Sequence, residues 1–201
     1  NIVAREKEIK EIVEIICRFS KPNVLLQGYP GVGKSDLIEG FVNLIVKNQV
    51  PDKLLKTKVY ELDLGTLIAG ASYKGEIEDR LKNILQALKT YPQVILIIDG
   101  IHVLLDKNSD NAGISSILKS ELSGNPGLTL IVTTTVDEYT KKIEKDEGLS
   151  GMFEVLKVEE PNEEQAFRII KSALPSYLVH HAIQVKDESI TESIRLSKRY
   201  L

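Results

Sequence analysis

The order of periodic segments predicts an α/β fold: a three-layer domain on a parallel sheet, followed by a partial all-helical small domain. Three observations predict it. Strand-like runs alternate with helix-period segments as far as Val158. The third of those runs, residues 93–99, is apolar almost throughout, as a strand covered on both faces is. Beyond Pro161 only helical patterns remain. Alternating strands and helices mark a parallel sheet, and a closing run of helices marks a separate helical layer. The boundary falls near Glu160 to Asn162, dividing the chain into residues 1–160 and 161–201.

Ile9, Ile12, Val13, Ile16 and Phe19 recur at helical spacing and define an amphipathic first helix, ended by Lys21-Pro22. Residues 23–27 read as a buried strand running into glycine. A helix over about 33–47 places Leu37, Ile38, Phe41, Val42 and Ile45 on one side. After a break at Pro51, residues 58–64 form a second strand. A helix over 75–89 turns Ile77, Leu81, Ile84, Leu85 and Leu88 inward, and 93–99 is a third strand. Residues 108–113 are a polar loop, 114–122 a helix, 128–135 a fourth strand and 155–158 a short fifth. The helical part comprises 163–173, a separate segment after Pro175, and 187–200.

The 201 residues carry 26 Lys+Arg and 29 Asp+Glu, a net charge of −3. That balance argues against a nucleic-acid partner, which usually meets a basic surplus. A hydrophobic fraction of 42% with 27% charged residues excludes general disorder, and one cysteine excludes a disulfide scaffold. Runs such as 94–98 are too short to cross a bilayer, so no membrane role is expected. No targeting segment is recognised, and the single cysteine fits a cytoplasmic or similarly reducing compartment.

The strongest chemical signal is Gly28-Tyr29-Pro30-Gly31-Val32-Gly33-Lys34-Ser35. It fits G-x-x-x-x-G-K-[ST], after an apolar strand and at a helix start. Its glycines let backbone N–H groups converge on phosphate oxygens, and the helix end adds favourable charge. Lys34 is expected on the β- and γ-phosphates of ATP and Ser35 on Mg²⁺. Pro30, Gly31, Val32, Gly33 and Asp36 complete the expected nucleotide contacts. Val94-Ile95-Leu96-Ile97-Ile98-Asp99 is an apolar strand ending in an acid, which places Asp99 in the Mg²⁺ shell.

These residues resemble AAA+ ATPases. Arg5-Glu6-Lys7-Glu8-Ile9, Leu62-Asp63-Leu64-Gly65, Leu67-Ile68-Ala69-Gly70-Ala71, Tyr73-Lys74-Gly75-Glu76, Asp137-Glu138-Tyr139 and Ile143-Glu144-Lys145-Asp146 narrow the resemblance. They are similar, in order and spacing, to the first nucleotide-binding domain of Clp-type unfoldases and disaggregases. The resemblance implies ATP/ADP with Mg²⁺, a homo-hexameric ring and polypeptide substrates drawn through a pore. It places Tyr73 and Lys74 on the substrate-gripping pore loop. It makes Thr135, with Thr134 as the register alternative, the polar sensor of the γ-phosphate. It puts Val3, Ala4 and Arg5 at the adenine pocket, with alanine where the family has glycine, and makes Ile169 the lid contact. It also implies that 161–201 is a truncated lid, the chain being a piece of a longer protein.

Two departures shape the functional expectation. After Asp99 the family has a glutamate that polarises the attacking water; this chain has Gly100. Before Phe153 the family has two arginines that act on the neighbouring subunit's nucleotide; here Gly151 and Met152 stand there. A positioned general base is worth roughly 10²–10⁴ in rate and an arginine finger roughly 10³–10⁵. The expectation is a module that binds ATP, hydrolyses it weakly or not at all, and supports ring assembly. The alternative is a fully active domain that threads polypeptide.

Overall fold

The computed structural model describes residues 3–71, 75–105, 112–181 and 183–200, without the side chains of 112 and 176. Helix α1 (Glu6–Ile16) leads into β1 (Asn23–Gln27) and α2 (Lys34–Val46). Then come β2 (Lys58–Glu61), α3 (Leu64–Ile68), α4 (Glu76–Leu88), β3 (Val94–Ile98) and α5 (Ala112–Gly124). β4 (Leu128–Thr134) precedes two short helices, α6 (Val136–Glu138) and α7 (Glu147–Ser150), and the last strand is β5 (Phe153–Lys157). The helical part consists of α8 (Glu163–His181) and α9 (Asp187–Tyr200).

Among the described residues the sheet has five strands in the order β2-β3-β4-β1-β5, every neighbouring pair parallel. Strand alternation divides the core in two. Val24, Leu26, Ile95, Ile97 and Ile131 pack under α1 and α2. Leu25, Leu96, Ile98, Leu130 and Val132 pack with Leu81 and Leu85 of α4 and Leu118 of α5. Both faces are covered, so the central strands are fully buried and read as continuous apolar runs. Truncating one of these leucines to alanine costs about 2–5 kcal/mol.

Three expectations are corrected. The first helix stops at Ile16, and Phe19 lies fully exposed instead of continuing the apolar stripe. Lys21, with φ +52°, turns the chain there, so the periodic spacing no longer describes a helix face. The second strand ends at Glu61, and Asp63 caps α3 by accepting the Thr66 N–H at 3.2 Å. Pro175 does not divide the helical part, because α8 runs through it. Proline removes one helical hydrogen bond there, and its exposed setting lets water satisfy the freed carbonyl. The start of α8 is set by Asn162 and Gln165, which exchange side-chain to backbone hydrogen bonds at 2.9 and 3.0 Å.

Candidate functional site

The site forms at the carboxyl ends of β1, β4 and β3, where ligands of open α/β sheets bind. β4 lies between the other two, with Gln27 opposite Thr134 and Ile98 opposite Val132. Chain leaving β1 therefore meets chain leaving β3 across one strand. Gly28 is required where it stands: a Cβ there would sit 2.6 Å from the Val158 carbonyl oxygen. Gly31 and Gly33 take φ of +77° and +96°, a region that glycine enters without steric penalty. Gly33 precedes α2 and offers no side-chain cap, so the helix N-terminus keeps its anion-attracting character.

Lys34 Nζ donates to the carbonyls of Gly28 and Tyr29, both at 2.8 Å, which curls the loop around the ammonium. Burial pushes its pKa below the ordinary lysine value, and the Asp99 charge opposes that shift. Ser35 Oγ donates to Asp99 Oδ2 at 2.7 Å, so the expected Mg²⁺ residues meet. A hydroxyl and a carboxylate are the hard oxygen donors that Mg²⁺ takes, so these residues fit the ion. Asp36 is exposed on the first turn of α2, its carboxylate near Gly33.

Thr133 is the residue that sequence reasoning missed. Its hydroxyl donates to Asp99 Oδ1 and accepts the Gly100 N–H at 2.8 Å. Thr134 is buried, with its hydroxyl 3.4 Å from His102 Nδ1. Burial lowers the His102 pKa, the Glu138 charge working against it. Thr135, the expected sensor, is placed differently: its hydroxyl caps α6 by accepting the Glu138 N–H at 3.2 Å. The strand has already ended there, which frees the side chain for the cap.

Between the phosphate loop and the helical part lies a cleft of about 690 Å³. Pro30, Gly31 and Val32 form one wall, and Ala166, Ile170 and Ile194 contribute to the other. On α8 it is Ile170, and not Ile169, that lines this cleft, since neighbouring helix positions point about 100° apart. Val3 is half-buried and is not part of this lining. Ala4 is buried with φ +67°, a conformation that favours glycine, and its carbonyl accepts from Gln165 Nε2 at 3.2 Å. Arg5 is buried and forks to the carbonyls of Val32 (3.0 Å) and Glu159 (2.9 Å), fastening the loop to the chain beyond β5. Tyr73 and Lys74 lie outside the described residues.

Gly100 has φ +83° and ψ +47°, in the left-handed region. A Cβ there would meet only His102 Cε1 at 3.5 Å and Val103 Cγ2 at 3.8 Å, ordinary contacts. Backbone conformation, not crowding, makes this a glycine position. Gly151 follows α7, where a Cβ would lie 2.8 Å from the Glu147 carbonyl oxygen. Met152 packs partly against the core.

Residues 24–154 match the ATPase family associated with various cellular activities (AAA), and residues 162–201 match an AAA lid domain. ClpC, the ATP-binding subunit of an ATP-dependent Clp protease, is 41% identical in Staphylococcus epidermidis and 40% in Staphylococcus aureus strain USA300. Each alignment takes in 100% of this chain and 25% of the relative, so the chain spans about a quarter of their length. The S. cerevisiae Hsp104–ADP complex has TM-score 0.89 and 33% identity, covering 99% of this chain and 34% of that one. An extended Hsp104–casein complex has TM-score 0.86 and 36% identity, with the same coverage.

Proposed function

The chain belongs to the AAA family of ATPases, in its Clp-type branch, and from that premise we propose an ATP-binding module of a protein-remodelling machine. It holds ATP or ADP with Mg²⁺, turns ATP over weakly or not at all, and supports assembly of a homo-hexameric ring. Residues 1–160 act as the large nucleotide-binding part and 161–201 as the helical lid. Lys34 and the N–H groups opening α2 hold the phosphates. Ser35 and Asp99 hold Mg²⁺, which supplies neutralising charge to the phosphate oxygens. Thr133 fixes the Asp99 carboxylate, and Thr134 beside His102 is the sensor we favour. Pro30, Gly31, Val32 and Ile170 border the cleft that takes the rest of the nucleotide.

The observation that supports weak turnover is Gly100, which offers no side chain directly after Asp99, the carboxylate engaged by Ser35 and Thr133. Gly151 and Met152 support it, since neither supplies a cation to a neighbouring subunit. The casein complex of Hsp104 supports polypeptide as the substrate class, with Tyr73 and Lys74 as the contact. We propose a cytoplasmic or similarly reducing compartment and no nucleic-acid or membrane partner. Among the described residues no helix is long and apolar enough to cross a membrane.

The test is phosphate release from a nucleotide-saturated sample, with sedimentation in ATP on the same material. Occupied sites with slow or absent release, and larger assemblies in ATP, are expected. Turnover typical of AAA+ ATPases, abolished in Lys34→Ala, would contradict the proposal.

A further inference from the structure

β2 and β3 run parallel with Glu61 opposite Ile97, and the Leu62 N–H donates to the Ile97 carbonyl at 2.9 Å. Val59 packs with Ile95 and Ile97 on the α2 side of the sheet, whereas Leu62 packs on the other. Alternate strand residues share a face, so Glu61 projects to the side where Ser35 meets Asp99. Glu61, Asp63 and Asp99 line one opening of about 500 Å³.

The three carboxylates in this opening differ in what they already hold. Asp99 is engaged by Ser35 and Thr133. Asp63 is engaged by the N–H and hydroxyl of Thr66 as the cap of α3. Glu61 is exposed and has no hydrogen bond or ion pair to another described residue. Among the described residues no group of three or more acids, histidines or cysteines is arranged to hold a metal ion. Glu61 is therefore an uncommitted carboxylate at the end of the strand beside β3, lining the same opening as Asp99.

We propose that Glu61 positions and deprotonates the attacking water for whatever ATP hydrolysis this module performs. This rests on the nucleotide reading above. The water oxygen bonds to the γ-phosphorus as its proton passes to the Glu61 carboxylate. The bond from that phosphorus to the β–γ bridging oxygen breaks, and its electron pair leaves with ADP. Glu61 then returns the proton to solvent. A base carried on the adjacent strand, and not directly after Asp99, predicts turnover that is slow without being zero.

The test compares the parent chain with Glu61→Gln, which keeps shape and loses charge, and Glu61→Asp, which shortens the side chain. ADP binding is titrated first. ADP with aluminium fluoride, which mimics the transferring phosphoryl group with its axial water, is then trapped and its release timed. Phosphate release from ATP is the third readout. Expected for Glu61→Gln are ADP affinity within about twofold of the parent, trapped-complex release at least about tenfold faster, and turnover down by about 10²-fold or to background. Glu61→Asp falls between. Equal trapping and turnover in Glu61→Gln and the parent overturns the proposal, as does a parent that traps no aluminium fluoride on bound ADP. A parent that fails to bind ADP overturns instead the nucleotide reading beneath it, and the binding titration alone reveals that.

Discussion

Replacing Gly100 by alanine or by glutamate separates backbone strain from catalysis. The residue sits at φ +83°, and a Cβ would find only ordinary contacts at 3.5 and 3.8 Å. A left-handed conformation costs an L-residue roughly 1–2 kcal/mol. Losing glycine's freedom in the unfolded chain returns only about 0.4–1 kcal/mol. Both variants are therefore expected to lose about 1 kcal/mol, a Tm fall of about 2–4 °C for a chain of this size. Gly100→Glu also adds a carboxylate, but on a backbone held in the left-handed region and with no cation at 151 or 152. Its turnover gain is expected at no more than about 10²-fold, the low end for a positioned base, with none in Gly100→Ala. Thermal denaturation and phosphate release on the same samples give both numbers. Gly100→Ala gaining about 0.4–1 kcal/mol, as unstrained glycine replacements do, would rule out strain at this position. So would Gly100→Glu reaching a gain of about 10⁴ with stability intact.

Thr133→Val keeps the side chain's shape but removes the hydroxyl bridging Asp99 and the Gly100 N–H. A loss of about 1–3 kcal/mol in urea unfolding is expected, with weaker Mg²⁺ dependence of nucleotide binding. Asp146 makes a pH-dependent contribution: hydrogen bonding to Lys119, at 2.8 Å, leads the causes holding its pKa at about 2 rather than 3.8. Its folded pKa is depressed, so its stabilisation is complete above the ordinary aspartate value and disappears as pH falls from about 4 through about 2. Asp146→Asn, which keeps the helix cap, is expected to cost no more than about 1 kcal/mol at neutral pH because the pair is partly exposed. That cost should fade as pH falls through about 2, and unfolding curves at neutral pH and below pH 2 check it.

What could be read in advance depended on how local its cause was. The phosphate loop was legible because Gly28 to Ser35 follow one another and the flanking strand and helix announce themselves. Asp99 was legible because it ends an apolar run. Thr133 was not, because its contact with Asp99 arises from the pairing of two distant strands; assuming a parallel β3–β4 register would have found it. Asp63, followed three residues later by Thr66, was a helix-start signal obscured by the strand-like Leu62 and Leu64. A single helix step separates Ile169 from Ile170, too fine for a periodicity argument that leaves the packing angle open. The glycine at position 100 could be read as a missing side chain. Its left-handed backbone could not, because glycine tolerates both signs of φ.

Calorimetric titration with Mg·ATP of the parent chain and Lys34→Ala tests whether the phosphate loop is an intact site for Mg·ATP. Lys34 Nζ is held by two loop carbonyls at 2.8 Å, and a phosphate is expected to draw it away from them. Micromolar binding by the parent is expected, with a loss of at least about 2–3 kcal/mol, roughly a hundredfold, in the variant. Equal affinity in the two, or no binding by the parent at millimolar ATP, would contradict it.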